Sequence, residues 1–183
     1  EYPNFVGWGH STWQEGVRLS QEAGVKYYAI FHHDPAHDDA FMDNVEYEAK
    51  KEFAQAFVAK EGEEIIEPIS ALLASASMDN GEKLFKKCAT CHNYEKGGAN
   101  KVGPQLWNLI NRPKANVEGF AYSKALAEYG GEWGYEELAE FLYKPKKYIK
   151  GTKMNFAGLK KVKDRADLVY FLRAQSDSPI PLP

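Results

Sequence analysis

Lys83 to Lys101 read KLFKKCATCHNYEKGGANK, and residues 88–92 within them read CATCH. Cys88 and Cys91 are the only cysteines in the chain, and His92 follows the second directly. Two thiols and an imidazole this close suit a redox dithiol, half a zinc site or a haem attachment site. A closed zinc site needs four ligands, and no second Cys/His cluster follows, since His92 is the only histidine after His37. A thioredoxin-like dithiol belongs between a strand and a helix in a βαβ pattern, whereas the downstream sequence reads as helices and loops. Covalent haem attachment remains: thioethers from Cys88 and Cys91 to the porphyrin vinyls, with His92 on the iron.

Working outward, Asp79 and Asn80 are placed to cap a helix starting near Gly81, with Leu84 and Phe85 as its apolar stripe. A six-coordinate haem needs a second ligand, and in this half only Met78 and Met154 have suitable chemistry. Met78 is close to the first helix in sequence. Met154 lies in KPKKYIKGTKMNFAG, a loop punctuated by Pro and Gly that can carry a thioether to an iron. A lone Met also commonly fills a gap in a core.

Several pieces in order, GEKLFKKCATCH, EKGGANKVGPQLW, NVEGFAYSKAL, PKKYIKGTKMNFAGLKK and KDRADLVYFLRA, resemble a class I cytochrome c of the mitochondrial and alphaproteobacterial type over residues 78–176. The resemblance implies Met154 as the sixth ligand, making His92 and Met154 the metal ligands. It implies that Pro104 packs near His92, with the carbonyls of the preceding turn taking the imidazole Nδ1 proton. Arg112, Tyr122 and Trp133 match positions whose polar hydrogens satisfy a haem propionate, and Thr152 joins the cofactor-binding set beside Met154. Gly81 and Phe85 match a close crossing with the last helix at Leu168 and Phe171. Two positions depart from the family pattern. Phe141 stands where relatives usually carry a Tyr that reaches the methionine sulfur, and Leu126 stands where many have Asn. Both departures imply a drier methionine side and an altered reduction potential.

The net charge of −3 conceals an asymmetry: residues 1–76 hold 14 Asp/Glu against 5 Lys/Arg, and residues 77–183 hold 12 against 18. Lys86, Lys87, Lys96, Lys101, Lys146, Lys147, Lys150 and Lys153 gather in sequence around the cysteines and Met154. They predict a docking face for redox proteins with acidic surfaces, Lys87, Lys101, Lys146, Lys147 and Lys153 foremost, binding weakly and quickly. Nucleic acid fits poorly, because interleaved aromatics and helix-turn-helix or RNP patterns are missing. No run approaches the roughly 18 apolar residues of a membrane helix. The chain opens on Glu1 with no leader-like stretch, so no compartment is read from a signal.

Residues 1–67 read differently. GHSTWQEGVRLSQEAG predicts a helix capped by Ser11 or Thr12, with Val17, Leu19 and Ala23 apolar and Gly24 at its end. VKYYAIF predicts a strand, residues 41–57 a helix with Phe41, Val45, Ala49, Phe53 and Ala56 on one side, and AQAFVAKEG a short strand. His10, His32, His33, Asp34, His37, Asp38 and Asp39 invite a metal reading. GHST opening a helix and a strand ending in FHHDPAHDD resemble the C-terminal portion of metallo-β-lactamase-fold hydrolases, with His32 as a last ligand. The HxHxDH motif of that fold is absent, so no activity is carried over. Asp38 and Asp39 after Pro35 also suit a helix N-terminus. Such a half-sandwich would expose Tyr27, Ala29, Phe31 and Phe57, and predicts that a partner chain, a second copy or packing on the haem domain completes it.

The expected architecture is therefore mainly α: a partial α-β-α-β segment over 1–67, a linker over 68–77 and a helical haem domain with a short Pro-rich tail over 78–183. The expected function is electron transfer by one covalent haem c with His/Met ligation, not enzymatic catalysis. The alternative is a haem-containing fragment of a metal-dependent hydrolase, and ligand sensing at the iron is a third reading. Thioether attachment occurs outside the bacterial cytoplasm, which implies a periplasmic or equivalent exported location.

Overall fold

The computed structural model describes residues 12–25, 27–31, 37–60 and 66–183. The chain divides into two units, Glu1–Glu64 and Ile65–Pro183.

In the first unit the Thr12 hydroxyl accepts the Glu15 N–H at 3.2 Å and starts α1, Trp13–Glu22. Gly24, at φ +61°, ends it, as a left-handed glycine does. Val17 and Ser20 face inward, while Leu19 is exposed. Two positions along a helix is over half a turn, so Val17 and Leu19 cannot share a face. Strand β1, Tyr28–Ile30, pairs in parallel with β2, Ala56–Val58, and Ala29 lies opposite Phe57. Helix α2, Asp39–Glu52, makes the crossover. Its inward stripe is Met42, Val45 and Ala49, which pack with Val17, Ile30, Ala56 and Val58. The helix expected to run to Phe57 ends at Glu52, because Phe53 is extended at φ −139° and Ala56 already belongs to β2. Phe41, expected on the inner face, is exposed. Of the four residues expected at the surface, Phe31 is exposed, whereas Tyr27, Ala29 and Phe57 are half-buried. His10, His32, His33 and Asp34 lie outside the described residues, as does Ser11.

The second unit comprises α3 (Ser70–Leu73), α4 (Met78–Phe85), α5 (Lys124–Tyr129), α6 (Tyr135–Tyr143), α7 (Pro145–Tyr148) and α8 (Val162–Ala174). Its core joins Phe85, Leu109, Trp133, Leu138, Phe141, Leu142, Ile149, Leu168 and Phe171 with smaller neighbours. Helices α4 and α8 cross where Gly81 lies on the Asp167 backbone, and Phe85 packs on Phe171 with ring centroids 5.7 Å apart. The N-cap of α4 is Ser77, whose hydroxyl accepts the Asn80 N–H, and not Asp79 or Asn80. Gly81 thus sits inside the helix.

Residues 68–77 are packed structure of this unit and not a free linker. Ile69 and Leu73 are fully buried in its core. The Glu136 carboxylate accepts the N–H groups of Ile69 and Ser70, satisfying donors at the start of α3. Buried Arg165 donates to the carbonyls of Glu67 (3.0 Å), Leu159 (3.1 Å) and Lys160 (2.8 Å). Among the described residues no helix is long and apolar enough to cross a membrane.

Candidate functional site

Past Phe85 the chain leaves α4 in tight turns: Cys88 N–H bonds Phe85 O, Cys91 N–H bonds Cys88 O, and His92 N–H bonds Cys88 O at 2.8 Å. These turns bring two half-buried free thiols and the imidazole onto one short segment. Burial, with Cys91 beside it, pushes the Cys88 thiol up to about 11, so it is a protonated thiol at neutral pH.

His92 Nδ1 donates to Pro104 O at 2.8 Å. The acceptor is the carbonyl of Pro104 itself, where a carbonyl of the preceding turn was the expectation. With Nδ1 protonated, Nε2 keeps its lone pair for a metal. Burial lowers the His92 pKa, the Pro104 carbonyl opposes that, and the Arg112 and Lys101 charges add to it, so the ring is neutral at neutral pH. Gly103 N–H bonds Cys91 O at 2.8 Å, and a Cβ on Gly103 would lie 2.3 Å from His92 Cε1. Gly103 is thus a site residue that the sequence reasoning missed, although VGPQL contains it. Its only signal was a glycine beside the expected proline.

Arg112 donates to Trp107 O at 3.0 Å and Gln105 O at 3.1 Å, using two of its five N–H groups. Burial lowers its pKa, yet a guanidinium remains charged at neutral pH. The Trp133 backbone N–H donates to Arg112 O at 3.0 Å, and the Trp133 side chain is buried. The Tyr122 hydroxyl accepts the Val117 N–H at 3.2 Å, and its pKa is raised by burial while Arg112 nearby acts against this. Arg112 and Trp133 are thus joined through their backbones, and Arg112 lies near enough to Tyr122 to act on its pKa.

Met154 N–H bonds Thr152 Oγ1 at 3.3 Å, and Lys153 Nζ bonds the carbonyls of Ala121 (3.0 Å) and Tyr122 (3.3 Å). The methionine loop is thereby tied to the Tyr122 segment. Met154 is half-buried against the same core as Cys88, whereas Met78 is 36% exposed on the first turn of α4. Of the two candidates, Met154 is the more buried. The donor set, with neutral imidazole, two thiols, a half-buried thioether and a half-buried guanidinium, fits a covalently held haem. All eight lysines named from the sequence are exposed. Lys101 Nζ bonds Ala89 O within the cysteine segment, and Lys146 Nζ bonds Asn155 Oδ1 beside Met154, both at 2.8 Å.

In the first unit, Asp38 caps α2 by accepting the Phe41 N–H at 2.8 Å, and His37 stacks on Phe41 at 3.9 Å. Among the described residues no group of three His, Cys, Asp or Glu could hold a metal. Asp38 there caps the helix.

Comparison with known proteins matches residues 78–176 to the cytochrome c family. A cytochrome c homolog of Rickettsia bellii is 47% identical over 105 residues, 57% of this chain and 61% of the relative. One of Bradyrhizobium diazoefficiens is 42% identical over 118 residues, 64% of each chain. A cytochrome c of Gibberella zeae is 49% identical over 102 residues, 55% of this chain and 96% of that protein. The chain spans about three fifths of the bacterial relatives' length.

Proposed function

We propose that this chain, which belongs to the cytochrome c family, transfers electrons through one haem c held by Cys88 and Cys91 and ligated by His92 and Met154. The family carries covalently bound haem c, and its members are electron carriers rather than enzymes. The observation that carries the reading is the His92 imidazole, pinned through Nδ1 to Pro104 one residue after the second thiol. When bound, the haem supplies a one-electron couple, and the chain's residues do no bond chemistry on a substrate.

Each side chain has a definite task. Cys88 and Cys91 hold the porphyrin, and Gly103 leaves room for His92. Pro104 sets the imidazole tautomer. Thr152 steadies the backbone of Met154, whose soft neutral sulfur favours Fe(II) and raises the potential. Arg112, Tyr122 and Trp133 offer polar hydrogens to a propionate, which without them would be a costly buried charge. The exposed lysines beside the cysteine and methionine segments face an acidic redox protein. An exported compartment, periplasmic or equivalent, follows from thioether attachment outside the cytoplasm in the family resembled.

For the first unit the metallo-β-lactamase resemblance rests on sequence alone. Its described part is a parallel β-α-β pair with α1 alongside, and no residue cluster there favours the hydrolase alternative. The test of the main reading is a denatured mass with a visible spectrum of the purified chain and of Met154→Ala. One haem of added mass is expected in both, with a low-spin spectrum in the wild type that Met154→Ala loses while it gains CO binding when reduced. An unshifted mass would overturn it.

A further inference from the structure

Beyond α8 the chain turns back over the loop that follows CATCH. Gln175 O accepts the Asn108 N–H at 2.9 Å, and Asn108 Oδ1 accepts the Ser176 hydroxyl (2.7 Å) and the Asp177 N–H (3.0 Å). The Asp177 carboxylate then gathers Lys96 Nζ, Trp107 Nε1 at 3.0 Å and Asn108 Nδ2 at 3.2 Å. Asn108 holds φ +55°, a conformation that non-glycine residues seldom adopt. Its backbone N–H and both polar atoms of its side chain are engaged by the tail. Farther on, Ile180 O accepts Arg173 Nε at 2.5 Å and the Tyr135 hydroxyl at 3.2 Å, and Leu182 packs on the core. The tail is anchored along its length.

The same short loop answers to the site through its carbonyls. Pro104 O takes the His92 Nδ1 proton, while Gln105 O and Trp107 O take Arg112. Residues 104–108 are therefore held between two sets of bonds, one to the ligand histidine and Arg112, the other to residues 175–177.

The geometry points to Asp177 as a positioning residue for the histidine ligand: by holding Trp107 and Asn108 it keeps the Pro104 carbonyl on His92 Nδ1 and so sets how strongly the imidazole donates to iron. This rests on His92 being the haem ligand, as proposed above. Lys96 foremost, with Trp107 and Asn108, lowers the Asp177 pKa to about 2, so the carboxylate is ionised across the working pH range. An Nδ1–H bond to a carbonyl raises ligand basicity and favours Fe(III). Loosening that bond raises the potential.

The experiment compares the holoprotein with Asp177→Ala, Asp177→Glu and Trp107→Phe, measuring reduction potential by redox titration and exchange of the His92 Nδ1 proton by NMR of the reduced form. In Asp177→Ala the reduced-to-oxidised ratio at fixed ambient potential should rise at least threefold, about 28 mV at 59 mV per tenfold for one electron. The Nδ1 proton should exchange at least tenfold faster. Trp107→Phe, which removes one donor to the carboxylate, should shift both in the same direction by less, and Asp177→Glu should recover part of the loss. Unchanged potential and exchange in Asp177→Ala, with only a lower melting temperature, would overturn the proposal and leave Asp177 a stability anchor. If Asp177→Ala yields no folded holoprotein, Trp107→Phe decides on the same two readouts. A wild-type iron without histidine ligation would overturn the reading beneath the proposal, and that is seen before any variant is made.

Discussion

A Cβ built on Gly81 would lie 2.2 Å from the Asp167 carbonyl oxygen and 2.6 Å from Phe171 Cβ, so α4 and α8 cross at a separation that only glycine allows. The obstruction is backbone, which cannot rotate away. Gly81→Ala should therefore fall at the upper end of overpacking, about 3 kcal/mol. The better helix propensity of alanine offsets at most about 1 kcal/mol of that. A denaturant midpoint unchanged from wild type would show that the crossing has room for a methyl group.

The same crossing contains a buried carboxylate. Burial raises the Asp167 pKa, but the Ser77 N–H, the Asn80 amide and the Lys163 ammonium outweigh it, and the net direction is down. A depressed carboxylate contributes stability that is fully present above its unfolded value, about 3.9, and is lost as pH falls through the lower folded value. Asp167→Asn should cost about 1.5–3 kcal/mol at pH 7, the range for hydrogen bonds to a charged group. It should also flatten the acid limb of the stability curve. Urea unfolding at neutral and acid pH measures both, and parallel curves for the two proteins would remove Asp167 from the acid response.

Ile69 and Leu73 are both fully buried, and Arg165 reaches back to Glu67 O, so the haem unit begins well before its family motif. A chain starting at residue 66 should keep the stability that the haem unit has in the whole protein. One starting at residue 78 loses both side chains from the core, at about 2 kcal/mol each, and uncovers Glu136 as well. A difference below about 1 kcal/mol between the two chains would mean that residues 66–77 are dispensable.

What could be read from the sequence follows from how local each feature is. CATCH holds two thiols and an imidazole within five residues, and the chemistry of the site is legible there. The turn that accepts His92 lies only 12 residues on. By contrast, Glu136 meets Ile69 across 67 residues and Asp177 meets Trp107 across 70, and no periodicity announces such pairs. The end of α2 was misplaced because Val45, Ala49 and Phe53 continue a helical apolar spacing that runs into the strand residues Ala56 and Val58. The cap of α4 was misplaced for a tertiary reason: Asp167 takes the Ser77 N–H, which settles the helix start two residues earlier than Asp79 suggested.

Phe141 is buried between Trp133, at 4.9 Å between ring centroids, and Tyr148, at 6.1 Å. Leu126 is likewise apolar and half-buried, so neither position carries a polar side chain. Phe141→Tyr should raise the reduction potential, because a hydroxyl donating to the thioether draws electron density from it. The variant should lose about 1–3 kcal/mol of stability if the hydroxyl finds no partner. An unmoved potential would show that position 141 does not communicate with the iron.

The lysines make the last prediction. Lys146 and Lys147 are exposed on α7, close in sequence to Met154, and Lys87 is exposed beside Cys88. Charges on the rim of a docking face act on encounter more than on the bound state, through a field that salt screens. Lys146→Glu with Lys147→Glu should slow reduction by an acidic redox protein about tenfold at low ionic strength, within the range that steering provides. The difference should shrink toward nothing as salt is added, while the potential stays where it was. Stopped-flow rates across a salt series separate the two effects. Equal rates for both proteins at low salt would place the docking face elsewhere on the haem unit.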